Sequence, residues 1–312
     1  MNAPHADDAP PQVQLGQHPP ARRVLVHLSD THLLGGGARL AGAYDVEANL
    51  AAALAAVERT GVRPDALVFT GDLTDLGEPD AYRRLRDAVE PVAASLGAPI
   101  IWVPGNHDER PAMRQGLWDA AADAPDLDEP ITAVHDLGGL RIVVLDSTVP
   151  GWHHGEIDAR QRAWLRDVLA VPAPLGTLLA LHHPPLPSHV PFFDILELRD
   201  QAAFAEAIAG SDVRGILAGH LHYSTHGTFA GVPVGVASAT CYSMNLQRPP
   251  AAVNGMDAGQ SFQLVHVYDD VVTHTVVPVR EAETADTFTA QWLAQMAALS
   301  PQQRLDAFSR KR

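Results

Sequence analysis

The sequence holds a single cysteine, Cys241, in 312 residues. One thiol excludes an internal disulfide framework, leaves no second sulfur to share a metal, and suits a reducing cytoplasm, which is the compartment expected here. Cys241 follows Val236-Ala237-Ser238-Ala239-Thr240 and reads as a small buried residue. Long apolar runs are missing too. Residues 1–20 are rich in Pro, Ala, His, Asp and Gln without a continuous apolar stretch, and no run of about eighteen apolar residues follows, so neither a secretory leader nor a spanning helix is expected. Residues 1–20 read instead as a disordered segment. Basic residues are scarce, 22 against 37 acidic, and the resulting charge of −15 repels polyanions and excludes a nucleic-acid duplex as substrate. Gly35-Gly36-Gly37 is not followed by Gly-Lys-Ser/Thr, so it is no P-loop, and flexibility is the expected reason for its glycines.

What the chain does have is a set of apolar strands that end in polar residues. Ile100-Ile101-Trp102-Val103 closes in Gly105-Asn106-His107-Asp108, residues that have no place in a core. Val24-Leu25-Val26-His27-Leu28-Ser29 ends in Asp30-Thr31-His32, and Ala66-Leu67-Val68-Phe69-Thr70 ends in Gly71-Asp72. Thr177 to Leu181 runs into His182-His183-Pro184-Pro185, and Arg214 to Ala218 runs into Gly219-His220-Leu221-His222. The carboxyl ends of strands in an open α/β sheet share one edge, and ligands bind there. Five distant segments are therefore expected to converge on one site, with Asp30 and His32 pointing from one face of extended chain. A neutral Asn beside Asp and His reads as part of a metal site whose charge is supplied by the other ligands. Mixed carboxylate and imidazole suits Mn, Fe or Zn rather than Ca, whose sites are built from oxygen.

In order, D-x-H, G-D, G-N-H-D, H and G-H-x-H resemble the signature of the calcineurin-like metallophosphoesterases, spanning Asp30 to His222. Local stretches such as Leu28-Ser29-Asp30-Thr31-His32-Leu33 and Ala218-Gly219-His220-Leu221-His222-Tyr223 are similar to the bacterial class III cyclic-nucleotide phosphodiesterases, the mycobacterial cyclic-AMP type above all. The resemblance implies a dinuclear centre, with Fe and Mn the expected pair and Zn an alternative. One ion would take Asp30, His32, Asp72 and His222, the other Asp72, Asn106, His182 and His220, with Asp72 bridging. It further implies in-line attack of a metal-bridging hydroxide on 3′,5′-cyclic AMP or another cyclic nucleotide, giving the 5′-monophosphate. Asn106 and His107 would contact substrate, and His107 would serve as catalytic acid, oriented by Asp108. A homodimer is implied as well.

The same metal core serves other esters. Purple acid phosphatases place a tyrosinate where this chain has Asp75, and protein serine/threonine phosphatases place arginines at the positions of Leu76 and Pro104. A broad diesterase acting on glycerophosphodiesters or 2′,3′-cyclic nucleotides, a phosphomonoesterase, and a scaffold without chemistry are the alternatives. A scaffold should have lost a ligand, and none is missing.

The remaining pattern is that of an α/β chain. Asp45 caps a helix with Val46, Leu50, Leu54 and Val57 on one face, stopped by Gly61. A second helix runs from about Asp80 to Leu96, and Pro91 should kink or shorten it. Residues 111–136 read as acidic loop and short helix, Asp146 as a loop-holding residue, and His153-His154 as either a substrate rim or an exposed loop. The proline-bearing loop with His189, Phe192 and Phe193 offers apolar surface before a helix capped by Asp200. Segments 232–236, 262–267 and 271–279 lack intervening helices and are expected to form the second sheet of a four-layer α/β/β/α sandwich, the fold that the resemblance also implies. His27, His226, His266 and His274 read as structural. One domain over residues 21–284 is expected, with 285–312 an amphipathic tail (Phe288, Trp292, Met296 and Leu299 at helical spacing, then Arg310-Lys311-Arg312) docked on the domain or a second subunit.

Overall fold

A computed structural model describes residues 14–285 and 287–311. Residues 1–13 of the expected disordered segment, and the terminal Arg312, lie outside it; residues 14–20 contain no helix or strand.

The first half alternates β1 (Arg23–Leu28), α1 (Val46–Arg59), β2 (Ala66–Thr70), α2 (Pro79–Leu96), β3 (Ile100–Val103) and α3 (Arg110–Trp118). There follow β4 (Ala133–Leu137), β5 (Leu140–Val144), α4 (Ala159–Leu169), β6 (Thr177–Ala180), α5 (Gln201–Ile208), β7 (Val213–Ala218), β8 (Thr225–Phe229) and β9 (Val232–Val236). A short hairpin, β10 (Ser243–Met244) with β11 (Gly255–Met256), precedes β12 (Ser261–Val267) and β13 (Val272–Pro278).

The local causes are readable. Asp45 accepts a hydrogen bond from the Ala48 amide and starts α1. Pro91 neither ends nor shortens α2. The hydrogen bond it omits would have gone to the carbonyl of Asp87, and both residues are on the exposed face, where water satisfies that carbonyl. Asp200 precedes α5 with a φ of 51° and makes no capping bond through its side chain. The Gly35–Gly37 turn is tied down by acidic residues, its Gly35 and Gly36 amides donating to Glu78 and Asp80.

Two mixed sheets lie face to face. One has the order β13-β12-β1-β2-β3 and the other β4-β5-β6-β7-β9-β8. Alternation along each strand fills three apolar layers. Leu25, Val68 and Ile101 meet Ile142, Leu178 and Leu217 between the sheets. Val26, Phe69 and Trp102 face α1 to α3, and Val143, Leu179 and Ile216 face α4 and α5. This is the four-layer α/β/β/α sandwich. The assignment of the late strands needs correction: β9 joins the second sheet beside β7, whereas β12 and β13 extend the first sheet, with β12 antiparallel to β1. An apolar run specifies a strand but not its neighbour.

The tail also differs from expectation. It forms two short helices, α6 (Ala290–Ala298) and α7 (Pro301–Arg304), because Ser300 and Gln303 make a capping box that starts the second. Phe288 precedes the first helix, and its ring packs with Trp292 and Phe308 at 4.8–6.0 Å. No residue described in 287–311 is buried, and the three rings pack on one another.

Candidate metal centre

The parallel strands β1, β2 and β3 of one sheet, and β6 and β7 of the other, end along one rim. The seven candidate ligands come from both sheets rather than from one sheet edge: Asp30, His32, Asp72 and Asn106 follow β1, β2 and β3, whereas His182, His220 and His222 follow β6 and β7. Asp30 and His32 do not reach the site as extended chain. Both adopt the left-handed conformation, φ 52° and 46°, as do Asp72, His220 and His222 at 48°, 72° and 55°. Five non-glycine residues in that region mark a rim whose backbone is held under strain by its surroundings. Two glycines permit its closeness. A Cβ on Gly105 would collide with Asp72, and one on Gly219 with Ser29 and Asp30.

Asp30, His32, Asp72 and His222 bring one donor atom each within 4.8 Å of one another. His32 Nε2 lies 3.2 Å from His222 Nε2 and 3.4 Å from Asp72 Oδ2, and His222 Nε2 lies 3.4 Å from Asp30 Oδ1. On the other side of Asp72, its Oδ2 is 3.2 Å from His182 Nε2, which is also 3.1 Å from Asn106 Oδ1 and 3.2 Å from His220 Nδ1. One carboxylate oxygen thus faces both groups. All seven candidate ligands are brought together.

The tautomers are fixed from behind. His32 Nδ1 donates to the Asp75 carboxylate at 2.9 Å, and His182 Nδ1 donates to the Thr70 carbonyl at 2.7 Å. Each therefore turns an Nε2 lone pair into the cluster, where it meets another ring nitrogen. Opposed lone pairs at 3.2 Å repel unless a cation or proton lies between them, so the donor set fits two cations. The electrostatics favour a positive occupant, which at His182 can be the proton itself. Burial works against a charged His182, yet the Asp72 carboxylate outweighs it and lifts the imidazole to about 9. Burial likewise opposes charge on Asp72, but His182 and His107 hold it well below the usual carboxylate range. His220 is kept neutral by burial and by the neighbouring His183 and His182, which leaves its lone pair free.

Several supporting residues were not anticipated. Asp108 does not orient His107: its oxygens accept from the amides of Leu73, Thr74 and Gly105 and from the Tyr82 hydroxyl. Burial, then Asp72, raises it to about 6. His107 Nδ1 donates instead to the carbonyl of Asp75, at 2.9 Å. Burial lowers its proton affinity, but Asp72 and the contacts with Asp75 more than offset this and leave it raised. The signal for Asp75 was its position three residues after Asp72. Cys241, buried as expected, places its sulfur 3.7 Å from His222 Nδ1, and its sulfur and a nitrogen of each of His32 and His222 lie within 4.8 Å of one another. His183 faces Ser147 and the His153 carbonyl, and burial with His182 beside it lowers it to about 3. His153 receives the Asn106 amide at 3.0 Å, while His154 packs on Trp152. Asp146 holds a loop by accepting from Arg110, Ile131 and Thr148.

The cluster floors an open cavity of about 390 Å³. Tyr44, Tyr242, Met244, Val253, Phe192, Phe193 and Leu196 line its wall, and among the described residues no lysine or arginine does.

Residues 24–224 match the model of the family described as calcineurin-like phosphoesterase. The chain belongs to the calcineurin-like phosphoesterase family. It is accordingly a metal-dependent hydrolase of phosphate esters. Over 279 residues it is 53% identical to the cAMP/cGMP dual specificity phosphodiesterase of Mycobacterium tuberculosis, covering 89% of this chain and 86% of that one. A CpdA 3′,5′-cyclic adenosine monophosphate phosphodiesterase of Pseudomonas aeruginosa is 35% identical over 64% of this chain and 69% of its own. A dimetal phosphatase of Danio rerio shares the fold, with a TM-score of 0.59 at 17% identity, over 84% of this chain and 98% of its own.

Proposed function

We propose that this phosphoesterase is a dinuclear-metal phosphodiesterase hydrolysing 3′,5′-cyclic AMP and related cyclic nucleotides to the 5′-monophosphate. The observation that carries this reading is a cavity above the candidate metal ligands that, among the described residues, no lysine or arginine lines. A monoester carries close to two charges near neutral pH, its second pKa being about 6, and a diester carries one. Arginine forks are the usual means of holding the extra charged oxygens. Without them, and with a net charge of −15, the site suits the monoanion. The names of its mycobacterial and pseudomonad relatives support the same substrate class.

In this reading Asp30, His32, Asp72 and His222 hold one ion, and Asp72, Asn106, His182 and His220 the other, with Fe and Mn the favoured pair and Zn an alternative. When bound, such ions supply Lewis acidity at phosphoryl oxygens and an activated water near neutral pH. The chain's own residues do the rest. Asp75 holds the His32 ring, and the Thr70 carbonyl holds that of His182. His107, its Nδ1 committed to the Asp75 carbonyl, offers Nε2 to substrate. As a water-derived oxygen bonds to phosphorus and the P–O3′ bond breaks, that nitrogen gives its proton to the departing O3′, and 5′-AMP results.

Residues 21–284 form the catalytic unit and 285–312 an appendage. Among the described residues no helix is long and apolar enough to cross a membrane. A cytoplasmic homodimer is the assembly that the family resemblance implies, and sedimentation of the purified chain tests the dimer. The decisive measurement compares kcat/KM for cyclic AMP, bis(nitrophenyl) phosphate and nitrophenyl phosphate under one metal condition. Preference for the diesters is expected, with 5′-AMP accumulating as end product; a clear monoester preference would move the chain to the phosphatase branch.

A further inference from the structure

Above the metal donors, three aromatic rings lead outward in sequence. The His222 ring lies 4.4 Å from that of Tyr242, and Tyr242 stacks on Tyr44 at 4.7 Å with an interplanar angle of 15°. Both tyrosines line the cavity, and both are half-buried. They come from separate parts of the chain and are brought together deliberately. Asn49 on α1 donates to the Cys241 carbonyl at 2.7 Å and to Asp257 at 3.0 Å, fastening the segment that carries Tyr242. Gly255, on β11, leaves the space that the pair occupies: a Cβ there would lie 2.5 Å from the Tyr44 hydroxyl and 3.0 Å from the Tyr242 ring.

We propose that the Tyr44–Tyr242 pair is the subsite for the nucleobase of a cyclic nucleotide, and so a determinant of substrate affinity. This rests on the cyclic-nucleotide reading of the metal centre given above. A phosphate engaged at the donors places the rest of its molecule along the cavity wall, where a flat neutral group finds the stacked tyrosine pair, adjoining His222, whose ring is tilted 51° to that of Tyr242. Phe193, which also lines the cavity, is less suited, because it is buried and turned edge-on to His220, with an interplanar angle of 74° at 5.4 Å. Stacking accepts every base because every base has a π-face. The pair therefore favours nucleotides over base-free diesters and discriminates weakly between purines.

The test uses the full metal-loaded chain and two substrates, cyclic AMP and the 3′,5′-cyclic phosphate of 1-deoxyribose, which keeps the ring diester and has no base. Tyr44→Leu is expected to raise KM for cyclic AMP roughly tenfold, within the range measured for loss of one base–aromatic stack. Its KM for the base-free diester should change less than twofold. Tyr44→Phe, which keeps the ring, should restore the wild-type KM, and KM for cyclic GMP should follow that for cyclic AMP. Gly255→Ala repeats the test without removing either ring, since its methyl group must displace the pair, and metal content separates loss of fold from loss of base contact. Equal losses on both substrates, unchanged KM for cyclic AMP in Y44L and G255A, or a larger effect from Phe192→Ala than from Y44L would each overturn the proposal. Failure of the wild-type chain to turn over cyclic AMP at all would overturn the function proposed above, and this subsite with it.

Discussion

Asp72 is the residue on which the two donor groups meet. Its Oδ2 stands 3.4 Å from a nitrogen of one group and 3.2 Å from a nitrogen of the other. Asp72→Asn is expected to deplete both metals, whereas Asp30→Asn weakens chiefly one, and metal content per chain distinguishes them; two tightly held ions and normal turnover in D72N would refute the bridging role. His107 calls for a different measurement, because its Nδ1 is committed to Asp75 and it is not among the seven ligands proposed for the two ions. His107→Ala should keep its metals and lose roughly 10²–10⁴ in rate on cyclic AMP, as for a general acid. Bis(nitrophenyl) phosphate, whose leaving group departs without a proton, should lose much less, and equal losses would count against acid catalysis. The donors were legible in the sequence because each interrupts an apolar strand with a side chain that a core rejects. Asp75, Cys241 and the tyrosine pair were not, since their roles depend on partners far along the chain, 43 residues for Asp75 with His32 and 19 for Cys241 with His222. Asp108 follows His107 in sequence, but its backbone points it at three amides and a tyrosine, so adjacency misled.

At the scale of elements, the strands and helices up to β7 follow from hydrophobic period and capping except β4, most of which falls in the segment 111–136 read as loop and short helix, while sheet membership does not. β12 pairs with β1 across more than two hundred residues, and nothing local in Ser261–Val267 specifies that partner. What fixes the second sheet includes an ion pair. Arg141 on β5 contacts both carboxylate oxygens of Asp212, just before β7, at 3.0 Å, and Asp212 also accepts from Ala173 and Thr177. The side chains are only 13% and 12% exposed. Arg141→Ala should cost about 3–5 kcal/mol, because it leaves a carboxylate largely buried without its cation. Urea unfolding checks this; a loss below about 1 kcal/mol would mean that solvent already screens the pair.

For the molecule as a whole, the tail and the split origin of the donors have separate consequences. Removing residues 285–312 should leave metal content and turnover intact, since the described tail residues pack on one another and none is buried. Abolished metal binding in a folded truncation would refute that independence. The donors themselves are divided between the sheets, four following strands of the first and three following strands of the second. Neither sheet alone assembles either four-ligand set, so full coordination of the two ions waits until the sheets have docked. The clamp is therefore a late event on the folding path. Stabilisation that is absent from the transition state slows unfolding without hastening folding. Saturating metal should accordingly leave the refolding rate nearly unchanged while the unfolding rate falls, by about a thousandfold for each ion bound at a metal concentration a thousand times its Kd. Stopped-flow refolding and unfolding with and without chelator measure both limbs, and acceleration of refolding by metal would place the donors together earlier than their division between the sheets implies.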